Sequence, residues 1–174
     1  HQTMEAYRSA KFRLFEDLLP DDGTIVVNLD ASEYDAITKI ANERSLHSIA
    51  YGFEGGDLRC VGAKPGKNGW HLVLEVFGAS FELEFPLYGR FQIANSLCAA
   101  GLVIASGIDP AAAIPPLANL TGVPGRMDLA AHLDNGAQVF VDYAHTPEAL
   151  RTALNALREH TDGRVIILFG CGGD

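Results

Sequence analysis

A chain of 174 residues, 48% hydrophobic and 20% charged, is long enough to bury one full domain core or parts of two. Its net charge of -9, with the 13 Lys and Arg scattered, argues against a nucleic-acid-binding face. No apolar run approaches the ~20 residues of a membrane span, and HQTMEAYRSAK lacks the basic start and apolar stretch of a secretory signal, so the expected compartment is the cytoplasm. Cys60, Cys98 and Cys171 are widely spaced and odd in number, which fits reduced thiols better than a disulfide framework or a zinc site.

Residues 4–19 have Met4, Tyr7, Leu14, Phe15 and Leu18 at helical spacing on one face, and DDG ends the pattern. A short β-branched run follows at 24–30, then an amphipathic helix at 33–44 and a further strand, LHSIAYGF, which together predict a βαβ unit and a parallel sheet. Past Gly55 the texture changes. WHLVLEVF (70–77) and FELEFPL (81–87) flank Gly78-Ala79-Ser80 as an antiparallel hairpin. Residues 91–106 are apolar on nearly every side, predicting a helix buried between layers that stops at Gly107. PAAAIPPLANL predicts a short proline-started helix, and 121–128 a loop rich in Gly and Pro.

LAAHL and AQVFVDYA, joined through Asp134-Asn135-Gly136, predict a second hairpin. Thr146-Pro147-Glu148 then opens a helix with a cap, a proline at the first position and an acid at the positive end, running to about His160. RVIILFG predicts a final buried strand entering the glycine-rich GCGGD, so a second βαβ-like unit is expected to be cut as its loop begins. The break between the two parts is expected within 125–138.

The chemistry-bearing motifs each have a plainer alternative. GAKPGK (62–67) is not a phosphate loop: three residues rather than four separate its glycines, Val61 stands where the first glycine is needed and Asn68 where a Ser or Thr is needed. It is taken as a flexible turn. GCGGD is equally a phosphate-facing loop or a tight strand-to-helix turn. Asp142, His145 and Thr146 gather where a strand gives way to a helix, so Asp142 could accept from a ribose and His145 approach a phosphate; otherwise Asp142 ends the strand and His145 is solvated. Arg126, after a Pro-Gly turn at the expected junction, could bridge a phosphate or ribose, or be an ordinary loop arginine. Asn95, inside the apolar helix, is expected to be partly buried and in need of partners, either an adenine edge or nearby backbone. Lys11, four residues after Tyr7 and three before Leu14, falls in the apolar stripe of the first helix. Its stem could pack while the ammonium reaches water; alternatively desolvation would favour a neutral amine able to react with CO₂.

In order, HQTMEAYRSAKFRLF, VVNLD, GRFQIANSLCAAG, GVPGRMD, VDYAHTPEAL and LFGCGGD resemble the Mur ligase family, over nearly the whole chain and most specifically from Gly89 onward. The resemblance implies an α/β fold: residues 1–128 as the later half of a central ATPase domain, and 129–174 as the start of a Rossmann-like, dinucleotide-binding-like C-terminal domain. It further implies ATP-driven amide formation with Mg²⁺, in which meso-diaminopimelate is joined to UDP-MurNAc-L-Ala-D-Glu through an acyl phosphate in peptidoglycan synthesis. By similarity Lys11 is the lysine that becomes a carbamate and holds Mg²⁺; Gln92 and Asn95 contact adenine; Arg126, Asp142 and His145 lie on the nucleotide side. Gln92 departs from the asparagine common in the family, and Asp30-Ala31 replaces paired aspartates. With no phosphate loop before His1, these residues alone are expected to be inactive, and the intact enzyme to be monomeric. A lysine-adding Mur ligase, a ligase like folylpolyglutamate synthetase and a non-catalytic nucleotide-binding module are the competing readings.

Overall fold

The computed structural model describes residues 3–170. The chain opens with α1 (Met4–Arg13), capped by the Thr3 hydroxyl on the Ala6 amide, and continues into a π-helical turn at Leu14–Leu18. The expected helix is therefore present but changes its winding at Leu14. Its apolar face is a core face only at Phe15, which packs against the cluster of Ile25, Val27, Ala41 and Leu46; α1 itself buries no residue, and Met4, Leu14 and Leu18 are exposed.

The predicted βαβ unit is formed by β1 (Thr24–Asn28), α2 (Tyr34–Glu43) and β2 (His47–Gly52), with β1 and β2 parallel. Strand alternation sends Ile25 and Val27 towards Ala41 and Leu46 on the α2 side. On the other face Val26 and Ile49 meet Gly101 of α3 (Arg90–Ala105). Helices thus cover both faces of the parallel part.

Three further strands extend this sheet in the order β1-β2-β3-β4-β5. β3 (Leu58–Gly66) pairs parallel with β2 and antiparallel with β4 (Gly69–Val76), which pairs antiparallel with β5 (Ala79–Phe85). GAKPGK is therefore mostly strand rather than flexible turn: 62–66 lie in β3, opposite 69–73 of β4. Gly and Pro hid it, yet Pro65 is tolerated near the strand's end. A register shift between Cys60 and Gly62 restores the alternation, so that Leu58, Cys60 and Ala63 all join the core. The β4–β5 turn is tighter than expected. Val76 pairs with Ala79, leaving Phe77 and Gly78 as a two-residue turn with φ of 47° and 83°, the doubly left-handed geometry that hairpins favour.

The main core lies between this sheet and α3, where Leu58, Trp70, Leu72, Leu74, Val76 and Phe85 pack against Ile93, Leu97, Ile114 and Leu117. The composition of α3 predicts burial all round, but the helix is buried on one face only. Ile93, Ser96, Leu97, Ala100 and Gly101 form one buried face, while Leu102 and Val103 are exposed. Asn95, two residues and about 200° from Ile93, falls off that face and is exposed. Gly107, at φ 98°, follows the helix as its stop. α4 (Pro110–Ala113) and a 3-10 turn (Pro115–Asn119) then close over the core.

The second hairpin, β6 (Asp128–His132) and β7 (Gln138–Val141), is as expected. So is α5 (Pro147–Arg158), with the Thr146 hydroxyl accepting from the Ala149 amide at 3.2 Å. Residues 164–170 do not form the expected buried strand. They pair with no described strand, Ile166 and Leu168 are 84% and 100% exposed, and 166–170 line a cavity with Met127, Phe140 and α5. Apolar β-branched sequence favours a strand only where a neighbour offers a ladder, and none of the described residues does so. The second βαβ-like unit is accordingly not closed, and Cys171 to Asp174 of the GCGGD loop lie outside the described residues.

The one-sidedness of α3 predicts unequal costs along one helix. Leu97→Ala should lose about 3 kcal/mol of unfolding free energy and Leu102→Ala less than about 1 kcal/mol, measured by urea denaturation at equal m value.

Candidate functional site

Where α5 approaches the start of α3, a cleft of about 390 Å³ is lined by Phe91 from α3, by Arg126 and Asp142, and by Thr146, Glu148, Ala149, Thr152 and Ala153 of α5 and its cap. Beneath it Tyr88, Met127 and Ala156 form a small core with Phe91, Leu129, Phe140, Ala153 and Leu157, so the cleft has a packed floor. Two walls come from elements far apart in sequence, and the third is the 121–127 loop.

Asp142 fixes that loop. Its Oδ2 accepts from the Met127 amide at 2.8 Å and its Oδ1 from the Ala144 amide at 2.8 Å. The Tyr143 amide donates to the Gly125 carbonyl at 2.8 Å. The loop is thus stitched to the end of β7 on both sides of Arg126. The Arg126 guanidinium lies over the Tyr143 ring at 5.1 Å, and the other partner of that ring is His145, with centroids 5.0 Å apart and an interplanar angle of 62°. One His145 nitrogen, Nδ1, is 2.9 Å from the Tyr143 carbonyl. Arg126, Asp142 and His145 are therefore brought together, through a tyrosine that the motif reading passed over. Its signal was available, as an aromatic between the two predicted residues at a strand end. Phe91 and Thr152 were likewise not predicted as cleft residues, because their placement depends on how α5 docks, whereas the sequence groups Thr146 with Asp142 and His145.

Gln92 follows Phe91 on α3, and its Oε1 accepts from Asn95 Nδ2 at 3.4 Å. That bond leaves the Asn95 oxygen as an acceptor and the Gln92 amide NH₂ as a donor, and neither residue lines the cleft. Lys11 stands apart. It is exposed on α1, its ammonium 5.4 Å from the Tyr7 ring centroid, and it lines neither cavity, so the core-facing placement expected from the wheel is corrected. Helical periodicity identified a face, and among the described residues that face meets the core only at its end, where Phe15 packs against the cluster of β1 and α2.

Asp30 sits at the C-terminal edge of the parallel strands, where ligands often bind. Its carboxylate instead accepts the Phe53 and Glu54 amides at 2.7 and 3.1 Å, fastening the β2–β3 connection. Among the other titratable groups, burial pushes the Cys60 thiol up, opposed by the Gly62 carbonyl and Arg90, and it raises the Tyr51 hydroxyl, with the Cys98 thiol adding to the effect. Neither thiol borders the cleft.

Two family profiles match this chain, the Mur ligase middle domain over residues 1–103 and the "Mur ligase, glutamate ligase domain" over 125–174. The chain belongs to the Mur ligase family. UDP-N-acetylmuramoyl-L-alanyl-D-glutamate--2,6-diaminopimelate ligases of Zymomonas mobilis and Caulobacter vibrioides are 40% and 43% identical to it over 174 and 176 residues, covering 100% of the chain. A solved ligase of that name superposes with a TM-score of 0.78 at 32% identity, over 100% of this chain. Thermotoga maritima MurF ligase in complex with ADP matches at 0.73 over 90% of the chain, and its 22% identity bears on the fold alone. The chain spans 36% of the length of the curated relatives and of the first solved one. A mixed α/β architecture of Mur ligase type, as the motifs implied, is thereby established.

The clamp geometry gives a stability prediction for this Mur ligase chain. Asp142→Ala leaves the Met127 and Ala144 amides without their acceptor and should cost about 2 kcal/mol, whereas Asp142→Asn, which keeps one accepting oxygen, should recover about half. Chemical denaturation of both variants checks the order.

Proposed function

We propose that this chain is part of an ATP-dependent amide ligase that adds meso-diaminopimelate to UDP-MurNAc-L-Ala-D-Glu in peptidoglycan precursor synthesis. The observation that carries the reading is the cleft walled by Arg126 and Asp142, in a chain 40% identical to the Zymomonas mobilis diaminopimelate ligase. The chemical character of the cleft suits ATP. A guanidinium can meet phosphate or ribose, Asp142 has lone pairs for ribose hydroxyls beyond its two amide bonds, and Thr146 and Thr152 add hydroxyls beside the Phe91 ring. Asn95 and Gln92 would offer their donor and acceptor to the adenine edge, and His145 would stand at the nucleotide side of Tyr143. Residues 1–128 would then belong to the ATP-binding part and 129–174 to the C-terminal part.

In the proposed reaction the D-glutamyl carboxylate takes a phosphoryl group from ATP, and the amine of the incoming amino acid displaces phosphate through a tetrahedral intermediate. This chain's share is positioning: it holds the nucleotide between two wall elements, and its guanidinium offsets phosphate charge. Mg²⁺ fits less well. Among the described residues no group of three His, Cys, Asp or Glu could hold a metal ion, and Lys11 is exposed. A carbamate on Lys11 as Mg²⁺ ligand thus rests on the YRSAK motif, and no step is derived through the ion. Among the described residues no helix is long and apolar enough to cross a membrane.

In the complete ligase, Arg126→Ala should raise the KM for ATP about tenfold and leave the KM for UDP-MurNAc-L-Ala-D-Glu within twofold. An unchanged KM for ATP would return Arg126 to an ordinary loop arginine. The 174-residue chain has no GxxxxGK[ST] loop, so calorimetric titration with Mg-ATP should give a dissociation constant weaker than micromolar and no ligase turnover. For the carbamate, full-length Lys11→Ala should be inactive and regain activity with added short carboxylates; wild-type activity in bicarbonate-free buffer would end that reading.

A further inference from the structure

Among the described residues, the buried side-chain polar atoms without a hydrogen-bond partner are three: Trp70 Nε1 and both ring nitrogens of His160. All three meet at one contact. His160 follows the last turn of α5, its amide donating to the Leu157 carbonyl at 3.0 Å. Its ring packs edge-on between Trp70 of β4, at 4.6 Å and 75°, and Tyr88, which precedes α3, at 5.0 Å and 65°. Buried polar groups are nearly always paired, so three such atoms in one place single this contact out.

That contact joins the two halves of the site. The first turns of α5 wall the cleft, and the other end of the same helix is pinned at His160. We propose that His160 is a positioning residue whose neutral ring latches the end of α5 onto Trp70 and Tyr88, and that its protonation loosens α5 and widens the cleft opposite Phe91. The link to nucleotide rests on the cleft being the nucleotide's site.

Every charged or titratable group around the ring bears on this. Glu159, its neighbour, is engaged by Arg90 Nε at 3.0 Å, and the Arg90 guanidinium lies 6.0 Å from the Trp70 ring and 5.3 Å from Phe53. From before α3, the Tyr88 hydroxyl accepts from Gln138 Nε2 at 3.2 Å and lies 3.5 Å from the Lys67 carbonyl, and burial raises it, so it stays protonated and presents no anion. From the end of β3, the Gly66 carbonyl is the backbone acceptor that favours the charged ring, although neither ring nitrogen meets it in good hydrogen-bond geometry. An imidazolium here would be buried beside an indole with its nearest carboxylate already taken. Desolvation accordingly holds His160 below its ordinary 6.5, with Glu159 and the Gly66 carbonyl only partly opposing. The docked state, with the lowered value, binds fewer protons than the released one. The latch is therefore fully present above 6.5 and lost as pH falls below it through the docked value.

Trp70 is the single tryptophan of the chain, so its emission reports on the ring beside it. Fluorescence of the 174-residue chain, followed from about pH 8 to about pH 5 with circular dichroism as the control for folding, should show one transition with a midpoint below 6.5. His160→Phe and His160→Gln should abolish it. A midpoint at or above 6.5 in the native chain, or the same transition in whichever variant folds, overturns the latch. In the complete ligase, the KM for ATP should rise about fivefold from about pH 8 to about pH 6 and less than twofold in His160→Phe, the titration of ATP itself being common to both. An equal rise in native and His160→Phe enzymes overturns the positioning role. An Arg126→Ala enzyme with unaltered KM for ATP overturns the nucleotide reading instead, and the Trp70 transition still decides the latch.

Discussion

The close approach of α5 to the start of α3 governs the rest of the arrangement, and Gly89 permits it. A Cβ at Gly89 would sit 2.6 Å from the Phe91 ring and 3.0 Å from the Ala156 Cβ, and the backbone there has φ of 87°. Neither a side chain nor an ordinary backbone conformation is compatible with that spacing. Because α5 can come this close, Tyr88, Met127 and Ala156 close a small core between the halves, and the groove left beside it becomes the cleft. The same proximity brings Glu159 to Arg90 and His160 to Trp70. The exposed ion pair contributes little to stability, so it is the apolar contact at Gly89 that decides the docking.

Within that frame the structural role of Asp142 does not exclude the nucleotide-binding role proposed for it. Its two oxygens each hold a backbone amide, which is the strand-ending role, yet those amides belong to the residues that carry Arg126 and lead to His145. A carboxylate has about four lone-pair sites, so two remain for a ligand hydroxyl. Holding the loop is how the residue would present its neighbours. Asp30 shows the contrast: it too accepts two amides at a strand end, but it holds a connection that carries no functional group to the cleft.

Legibility in the sequence followed the range of the forces involved. Thr146-Pro147-Glu148 was legible because a cap, a proline and an acid act within one turn, and all three are in place on α5. Hairpins with strict alternation were legible for the same reason, whereas β3 was hidden because its register depends on β4 and its composition imitates a turn. The burial of Asn95 and Lys11 was misjudged on a common ground. Periodicity reports which side of a helix is apolar, while burial depends on what lies against that side: Asn95 is just off the packed face of α3, and α1 buries nothing. Of the site, Arg126, Asp142 and His145 were legible as a motif. Tyr143 and Phe91 were not, since a ring between a guanidinium and an imidazole, or across a cleft, is a property of docking.

Residues 164–170 carry this reasoning one step further. RVIILFG has the composition of a central parallel strand, yet it has no strand partner among the described residues and leaves Leu168 fully exposed. Burying one such side chain is worth about 2 kcal/mol, so the segment has several kcal/mol to gain from a neighbouring strand and helix that would cover it. α1 and the π-helical turn after it, with Met4 and Leu18 exposed, leave apolar side chains uncovered at the other end of the chain. The small core at the Gly89 contact borders the first of these segments, since Met127, Phe140, Ala153 and Leu157 line one cavity with 166–170. The floor of the cleft and the exposed 166–170 segment thus share one set of apolar side chains, so a neighbour that covered the segment would also bear on the junction that shapes the cleft.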